Sequence, residues 1–319
     1  MQFRTQIPVL KSKNPIDYTS GVVSLGSCFA VNMSEKLDYF KFQHYCNPFG
    51  ILFHPLAIEK LIDVAVFRKE FTAEDVFFHN EQWHTFDGHS DLSETDREVL
   101  LQNLNAIAAT THDKIAAATH VIITLGTAWV YRKTEDGKIV ANCHKVPQKQ
   151  FNKELLGIPV IKESLASIIS KILRLNPEAQ LIFTVSPVRH IKDGFTENQW
   201  SKANLITAIH QAIAEFSEEA VFIDYFPSYE IMMDELRDYR FYAEDMIHPN
   251  AVAIEYIWKR FSESRIAETA YPVMDEVESI RKGLAHRSFN PDSEQHAKFL
   301  KNLQLKIATL AVQYPNITF

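Results

Sequence analysis

Gly21-Val22-Val23-Ser24-Leu25-Gly26-Ser27-Cys28-Phe29-Ala30 decides how the rest of the chain is read. Val22–Leu25 has the length and character of a buried strand, and Gly26 stops it. Ala30–Phe40 follows as a helical stretch, so Ser27 falls where a strand hands over to a helix. A serine at such a junction has its oxygen held in the open. The amino end of the helix offers unpaired N–H groups to a developing oxyanion. Helix-capping serines favour the same position, so Gly26-Ser27 alone supports both readings. GxGxxG is absent, which argues against a dinucleotide turn.

Working outward, strand-length apolar runs alternate with helix-length amphipathic stretches. Phe42–Cys46 reads as a strand and Leu56–Phe67 as a helix. Val76–Phe86 reads as a hairpin around His79-Asn80-Glu81-Gln82. Glu94–Ala118 reads as a long helix with a break near Thr110-Thr111. Val121–Leu125 is a continuous β-branched run, suited to the centre of a sheet. Trp129–Arg132 and Lys138–Cys143 flank the hairpin turn Thr134-Glu135-Asp136-Gly137. Ile161–Leu175 (helix), Leu181–Val185 (strand), Glu197–Phe216 (helix) and Val221–Tyr225 (strand) continue the alternation. Pro227–Asp238 reads as a helix with proline in its first turn, and Asn250 as the cap of a helix over 251–261. The pattern predicts an α/β protein with a doubly wound, flavodoxin-like parallel sheet and inserted β-hairpins. In such sheets ligands sit at the carboxyl ends of the strands, where the strand order switches. Ser27 stands at one of those ends. From Tyr271 the strands cease, and Met274–Leu284 and Glu294–Gln313 read as helices. The expected organisation is a core domain over 1–268 and a helical C-terminal extension over 269–319.

The 319 residues are 46% hydrophobic, enough for a substantial core, and the net charge is −7. Acidic and basic residues are interspersed, which gives no electrostatic case for nucleic acid. No uncharged run approaches the ~18 residues of a membrane span, and Met1–Pro8 lacks the apolar core of a signal peptide. Cys28, Cys46 and Cys143 are odd in number and form no CxxC. A reducing cytoplasm is the expected location. His79, His84 and His89 recur every five residues, a spacing that suits neither a helix face nor a strand face. No metal site and no organic cofactor is expected.

The second informative segment is Glu244-Asp245-Met246-Ile247-His248-Pro249-Asn250. A carboxylate three residues before an imidazole, in a loop stopped by proline, lets the acid hold one ring nitrogen. The other nitrogen is then free to act as a base. The plainer reading is a capping aspartate beside a surface histidine. Together the two segments supply a nucleophile, a base and an orienting acid.

Gly26-Ser27-Cys28-Phe29-Ala30 resembles the signature of the GSCFA domain family, which is grouped with the SGNH (GDSL-like) hydrolases. The resemblance extends over roughly residues 20–260. It includes Asn47-Pro48-Phe49-Gly50, Thr124-Leu125-Gly126-Thr127-Ala128-Trp129, Asn142-Cys143-His144-Lys145, Ser186-Pro187-Val188-Arg189-His190 and Asp238-Tyr239-Arg240-Phe241-Tyr242. By this resemblance Ser27 is the nucleophile, His248 the base and Asp245 its partner. The Ser27 and Gly50 amides form an oxyanion hole. Gly126 matches the third block, but Ala128 and Trp129 replace its Asn and Asp, so a side-chain oxyanion donor is missing. Such a donor is worth ~100–1000-fold in rate. Asn47 and Thr127 are the first candidates to replace it, followed by His144 and Arg189.

The expected activity is hydrolysis of a small acyl ester, such as O-acetyl on a carbohydrate-like alcohol. Two other outcomes use the same residues: an O-acyltransferase, and a non-catalytic scaffold that binds an acylated or glycosylated ligand. Cys28 is an alternative nucleophile, because a helix amino end lowers a thiol pKa. A small buried residue is its plainer reading. His190, at another strand end, is a candidate for substrate binding or for the base. Arg189 is a candidate for an anionic substrate group, and Tyr239–Tyr242 for a pocket wall. Oligomeric state is not legible in the sequence.

Overall fold

The computed structural model describes residues 5–216 and 222–319. Its strands are β1 (Gly21–Gly26), β2 (Gln43–Cys46), β3 (Phe77–His79), β4 (Gln82–His84), β5 (His120–Leu125), β6 (Trp129–Lys133), β7 (Ile139–Val140), β8 (Phe151–Leu155), β9 (Gln180–Val185) and β10 (Ile223–Phe226). Its helices are α1 (Cys28–Tyr39), α2 (Pro55–Val66), α3 (Arg97–Ala116), α4 (Ile158–Leu175), α5 (Phe195–Phe216), the short α6 (Ser228–Glu230), α7 (Ala251–Arg265), α8 (Tyr271–Ala285) and α9 (Glu294–Gln313).

Five strands form one parallel sheet in the order β10-β9-β5-β1-β2. This is the doubly wound, flavodoxin-like arrangement. β5 is central and buried along its whole length, as its run of β-branched residues requires. Side chains alternate between the two faces of the sheet. Val23, Val121, Ile123, Leu181 and Phe183 join one apolar core with α2, α3, α4 and α5. Val22, Ile122, Ile182 and Phe226 join the other with α1 and α7. α8 and α9 belong to that second face. Val277, Ile280, Leu303 and Leu310 share its core with Phe29, Leu37 and Trp258.

Strand order reverses between β1 and β5, and the chain leaves both at their carboxyl ends. Ser27 follows the first and Gly126 the second, so both stand at the switch point.

The insertions differ from expectation in detail. β3 and β4 form the hairpin read at 76–86, with Asn80 and Glu81 both at positive φ (45° and 62°). β6 has a second partner, β8, that the polar segment Phe151–Leu155 did not announce. β7 stops at Val140, short of Cys143. The Asn142 side chain accepts from His144 N–H at 2.8 Å and turns the chain there. The break expected near Thr110-Thr111 does not occur. α3 is continuous, because Thr111 is buried and its hydroxyl donates to Ile107 O at 2.7 Å. Residues 227–238 form α6 and a π-helical segment, Ile231–Leu236, closed by Arg237 in the left-handed region. The first residue of the strand read at Val221–Tyr225 lies outside the described residues. Among those described, no helix is long and apolar enough to cross a membrane.

Candidate active site

β1 ends in a turn that only glycine makes. Gly26 has φ 135°, and a Cβ there would stand 2.1 Å from Thr124 O. The turn sets Ser27 at the N-cap of α1, where Oγ accepts from Phe29 N–H at 3.3 Å. Ser27 is 2% exposed. Phe29 N–H is its only hydrogen-bond partner at Oγ among the described residues, and no histidine nitrogen is bonded to it.

Asp245 and His248 form a tight pair. Nδ1 of His248 stands 2.6 Å from Asp245 Oδ2. Asp245 Oδ1 accepts from the backbone of Ile247 at 2.9 Å and of His248 at 3.0 Å. These bonds, led by the one from the His248 amide, bring the Asp245 carboxyl down to about 2. The aspartate is therefore an anion at any ordinary pH, and it orients the ring. Both side chains are close to half exposed.

The segment after β9 joins the two parts. Arg189 N–H donates to Ile247 O at 3.2 Å, and Arg189 Nη1 to Met246 O at 3.0 Å. The next residue, His190, faces the serine. Its Nε2 and Ser27 Cβ each lie 3.3 Å from the point a Cβ on Gly126 would occupy. Gly126 thus leaves the space in which serine and imidazole come together. Asn198 fixes the segment by accepting from His190 N–H at 2.8 Å.

Lys202 completes the floor. Nζ donates to Gly126 O at 2.6 Å and to Ser186 O at 2.7 Å, tying the ends of β5 and β9 together. The side chain is fully buried, and desolvation pulls its pKa to about 7. Burial and the neighbouring charges of Lys202 and His248 push His190 down to about 3. His190 is accordingly neutral. The sequence reading missed Lys202. Its signal is a lysine on the buried stripe Asn198, Lys202, Leu205 and Ile209 of α5.

The two backbone amides expected at the oxyanion are both engaged. Ser27 N–H is committed to Thr124 O at 3.0 Å, and Gly50 N–H to Asn47 O at 2.8 Å. Neither amide is open as the chain stands. Thr127 is also engaged. Its Oγ1 bonds Ser201 Oγ at 2.9 Å and accepts from Trp129 N–H at 3.1 Å. Asn47 is different. Its Oδ1 accepts from Gly26 N–H at 2.7 Å, which fixes which end of the amide is which. Its Nδ2 is buried and has no hydrogen-bond partner among the described residues. An orphan donor one residue from the serine is the feature an oxyanion site needs.

His144 lies buried against the β3–β4 hairpin, with Nε2 2.7 Å from Thr85 O and its ring 4.7 Å from that of His84. Burial lowers its pKa to about 4. Cys28 is half-buried, and desolvation raises its thiol pKa, outweighing the charge of Lys202. The thiol is therefore not the activated nucleophile that a helix amino end allows. Tyr239 and Tyr242 wall a cavity around Arg189, with ring centroids 5.6 and 5.3 Å from the guanidinium. Among the described residues, no three His, Cys, Asp or Glu side chains are grouped to hold a metal.

Fold and site together are those of a doubly wound α/β protein with a serine at the end of β1 and an Asp-His pair on the loop before α7. The chain belongs to the GSCFA family: the family model matches residues 21–261, and that of the GSCFA domain protein, C-terminal domain, matches 277–319. No curated protein matches the chain. Solved structures resemble it, among them the following two. One, from Streptococcus pneumonia, is described as a candidate platelet activating factor; it is 9% identical, with a TM-score of 0.40, over 78% of this chain and 84% of that one. The other is an acetyl xylan esterase from the rumen bacterium Butyrivibrio proteoclasticus; it is 10% identical, with a TM-score of 0.39, over 85% of this chain and 66% of that one.

Proposed function

We propose that the protein is a serine esterase acting on small acyl esters. Ser27 Oγ attacks the carbonyl carbon and its proton passes to the free nitrogen of His248. Asp245 holds the Nδ1–H and stabilises the imidazolium. Collapse of the tetrahedral intermediate breaks the bond to the alcohol, which takes the proton back from His248. Water then releases the acyl group by the same steps. The observation that carries this reading is the Asp245–His248 pair, docked through Ile247 onto the segment whose next side chain lies beside Ser27.

The oxyanion is held by Asn47 Nδ2 and by the first turn of α1. There, Phe29 N–H is taken by Ser27 Oγ and Ala30 N–H by Ser27 O, which leaves Cys28 N–H. Burial makes the His190 ring a poor proton acceptor, and it lies against Gly126, so it is assigned to substrate contact and the base role to His248.

A second reading has support in the committed amides of Ser27 and Gly50: a scaffold that binds an ester without cleaving it. One experiment separates the two. A fluorophosphonate probe labels wild type and fails to label Ser27→Ala if the enzyme reading holds. Absence of labelling in folded wild type overturns it. A p-nitrophenyl ester turned over with an added alcohol as acceptor distinguishes transfer from hydrolysis.

A further inference from the structure

Arg189 lines a cavity of about 260 Å³ together with Ile191, Phe195, Met233 and Tyr239. Its guanidinium stands 5.4 Å from the ring of Phe195, besides the two tyrosines. One Nη1 proton goes to Met246 O, and no other hydrogen bond of the side chain is present among the described residues. Among the described residues no carboxylate stands within ion-pairing distance of it. The charged groups of the same rim are already matched: Asp238 with Arg240 at 2.8 Å, and Arg237 with Asp234. A half-buried guanidinium between aromatic faces, with donors to spare and no counter-charge, is built for a planar anion. The aromatic and methionine walls suit an apolar spacer.

The cavity shares a wall with the reaction centre. Arg189 faces the cavity, while His190, one residue on, faces Gly126 and Ser27. Asn198, which holds His190 N–H, also lines it. An ester whose carbonyl lies at Ser27 therefore has room to send one arm past this segment.

We infer that the substrate is an ester bearing a carboxylate several bonds from the scissile carbonyl, and that Arg189 binds that carboxylate. The inference rests on the esterase reading for its reaction, but the cavity can be tested without it. Wild type is assayed on p-nitrophenyl butyrate and on the p-nitrophenyl half-esters of succinic, glutaric and adipic acids. 4-Acetoxybenzoate and phenyl acetate form the arm with the anion on the alcohol. At least tenfold higher kcat/KM for the anionic member of one arm, carried by KM, is expected. That preference falls to near unity in Arg189→Gln and is partly kept in Arg189→Lys. Equal turnover of charged and neutral esters by wild type overturns the inference, and needs no variant to fold. So does a preference that survives in Arg189→Gln.

Calorimetry on Ser27→Ala with monoethyl glutarate and with ethyl butyrate gives the independent readout. Binding of the anion alone upholds the cavity even if no ester is turned over. Equal binding of both refutes it even if esters are cleaved.

Discussion

Two histidines serve the two halves of this site, and they are built in opposite ways. His248 is close to half exposed and is backed by an aspartate whose other oxygen is capped by two amides. Its ring is oriented by that aspartate. His190 is nearly enclosed, near the buried cation Lys202, and its pKa falls to about 3. Its environment resists the proton. A general base must accept a proton in the transition state and hold it. In the proposed esterase that work falls to the open half, with contact and shape left to the buried half. Chemistry that needs charge to appear sits near water, whereas the parts that must not move are packed under the sheet ends.

Exchanging the roles of the two histidines breaks the comparison most directly. His248→Ala is expected to lower kcat for a p-nitrophenyl ester by about 10⁴–10⁶-fold, the range for losing one triad member. Because the side chain is exposed, the urea midpoint should barely move. His190→Gln should cost about tenfold, since it removes a contact and not the base. Comparable losses in the two variants, or a larger one at His190, refute the division of labour.

Asn47 is the next largest effect. Asn47→Asp keeps the oxygen that accepts from Gly26 N–H and replaces the orphan donor with an acceptor. A loss of about 100–1000-fold in kcat with KM little changed is expected. Asn47→Ala removes both functions, so it should also destabilise the turn at Gly26. Full activity in a folded Asn47→Asp protein removes this residue from the oxyanion site.

How far the sequence carried this picture depends on the kind of signal. The five sheet strands and their helices were readable because burial on both faces leaves long apolar runs, as in Val121–Leu125. β8 was not, because an edge strand in a small sheet carries exposed polar residues such as Asn152 and Lys153. Asp245 and His248 were readable as a local i, i+3 pair. The partners of the Ser27 and Gly50 amides were not readable, because an amide's partner is a carbonyl elsewhere in the chain, here Thr124 O and Asn47 O. Lys202 was missed for the same reason. Its role depends on two carbonyls, Gly126 O and Ser186 O, that come together only when β5 and β9 pair.

That lysine gives the third test. Lys202→Met retains most of the volume and leaves Gly126 O and Ser186 O without their donor. Each buried orphan costs roughly 1–3 kcal/mol, offset in part by relief of the desolvated ammonium. A net loss of about 2 kcal/mol in urea unfolding is expected. A variant as stable as wild type denies the buried half its structural tie and leaves Lys202 with an electrostatic role alone.

The smallest effect is a dependence on acid. His54, His144 and His190 are held neutral by burial, at about 4, 4 and 3. In the unfolded chain each takes a proton near 6.5, so below that pH the unfolded state binds more protons than the folded one. Stability is then fully present above about pH 6.5 and is lost as the pH falls toward the folded values. Each histidine should remove about 1 kcal/mol between pH 7.5 and 5.5, since one pKa unit corresponds to 1.36 kcal/mol. His190→Gln should therefore flatten the pH dependence of the urea midpoint by about one histidine's share. An unchanged slope in a folded His190→Gln protein denies that burial keeps this ring neutral.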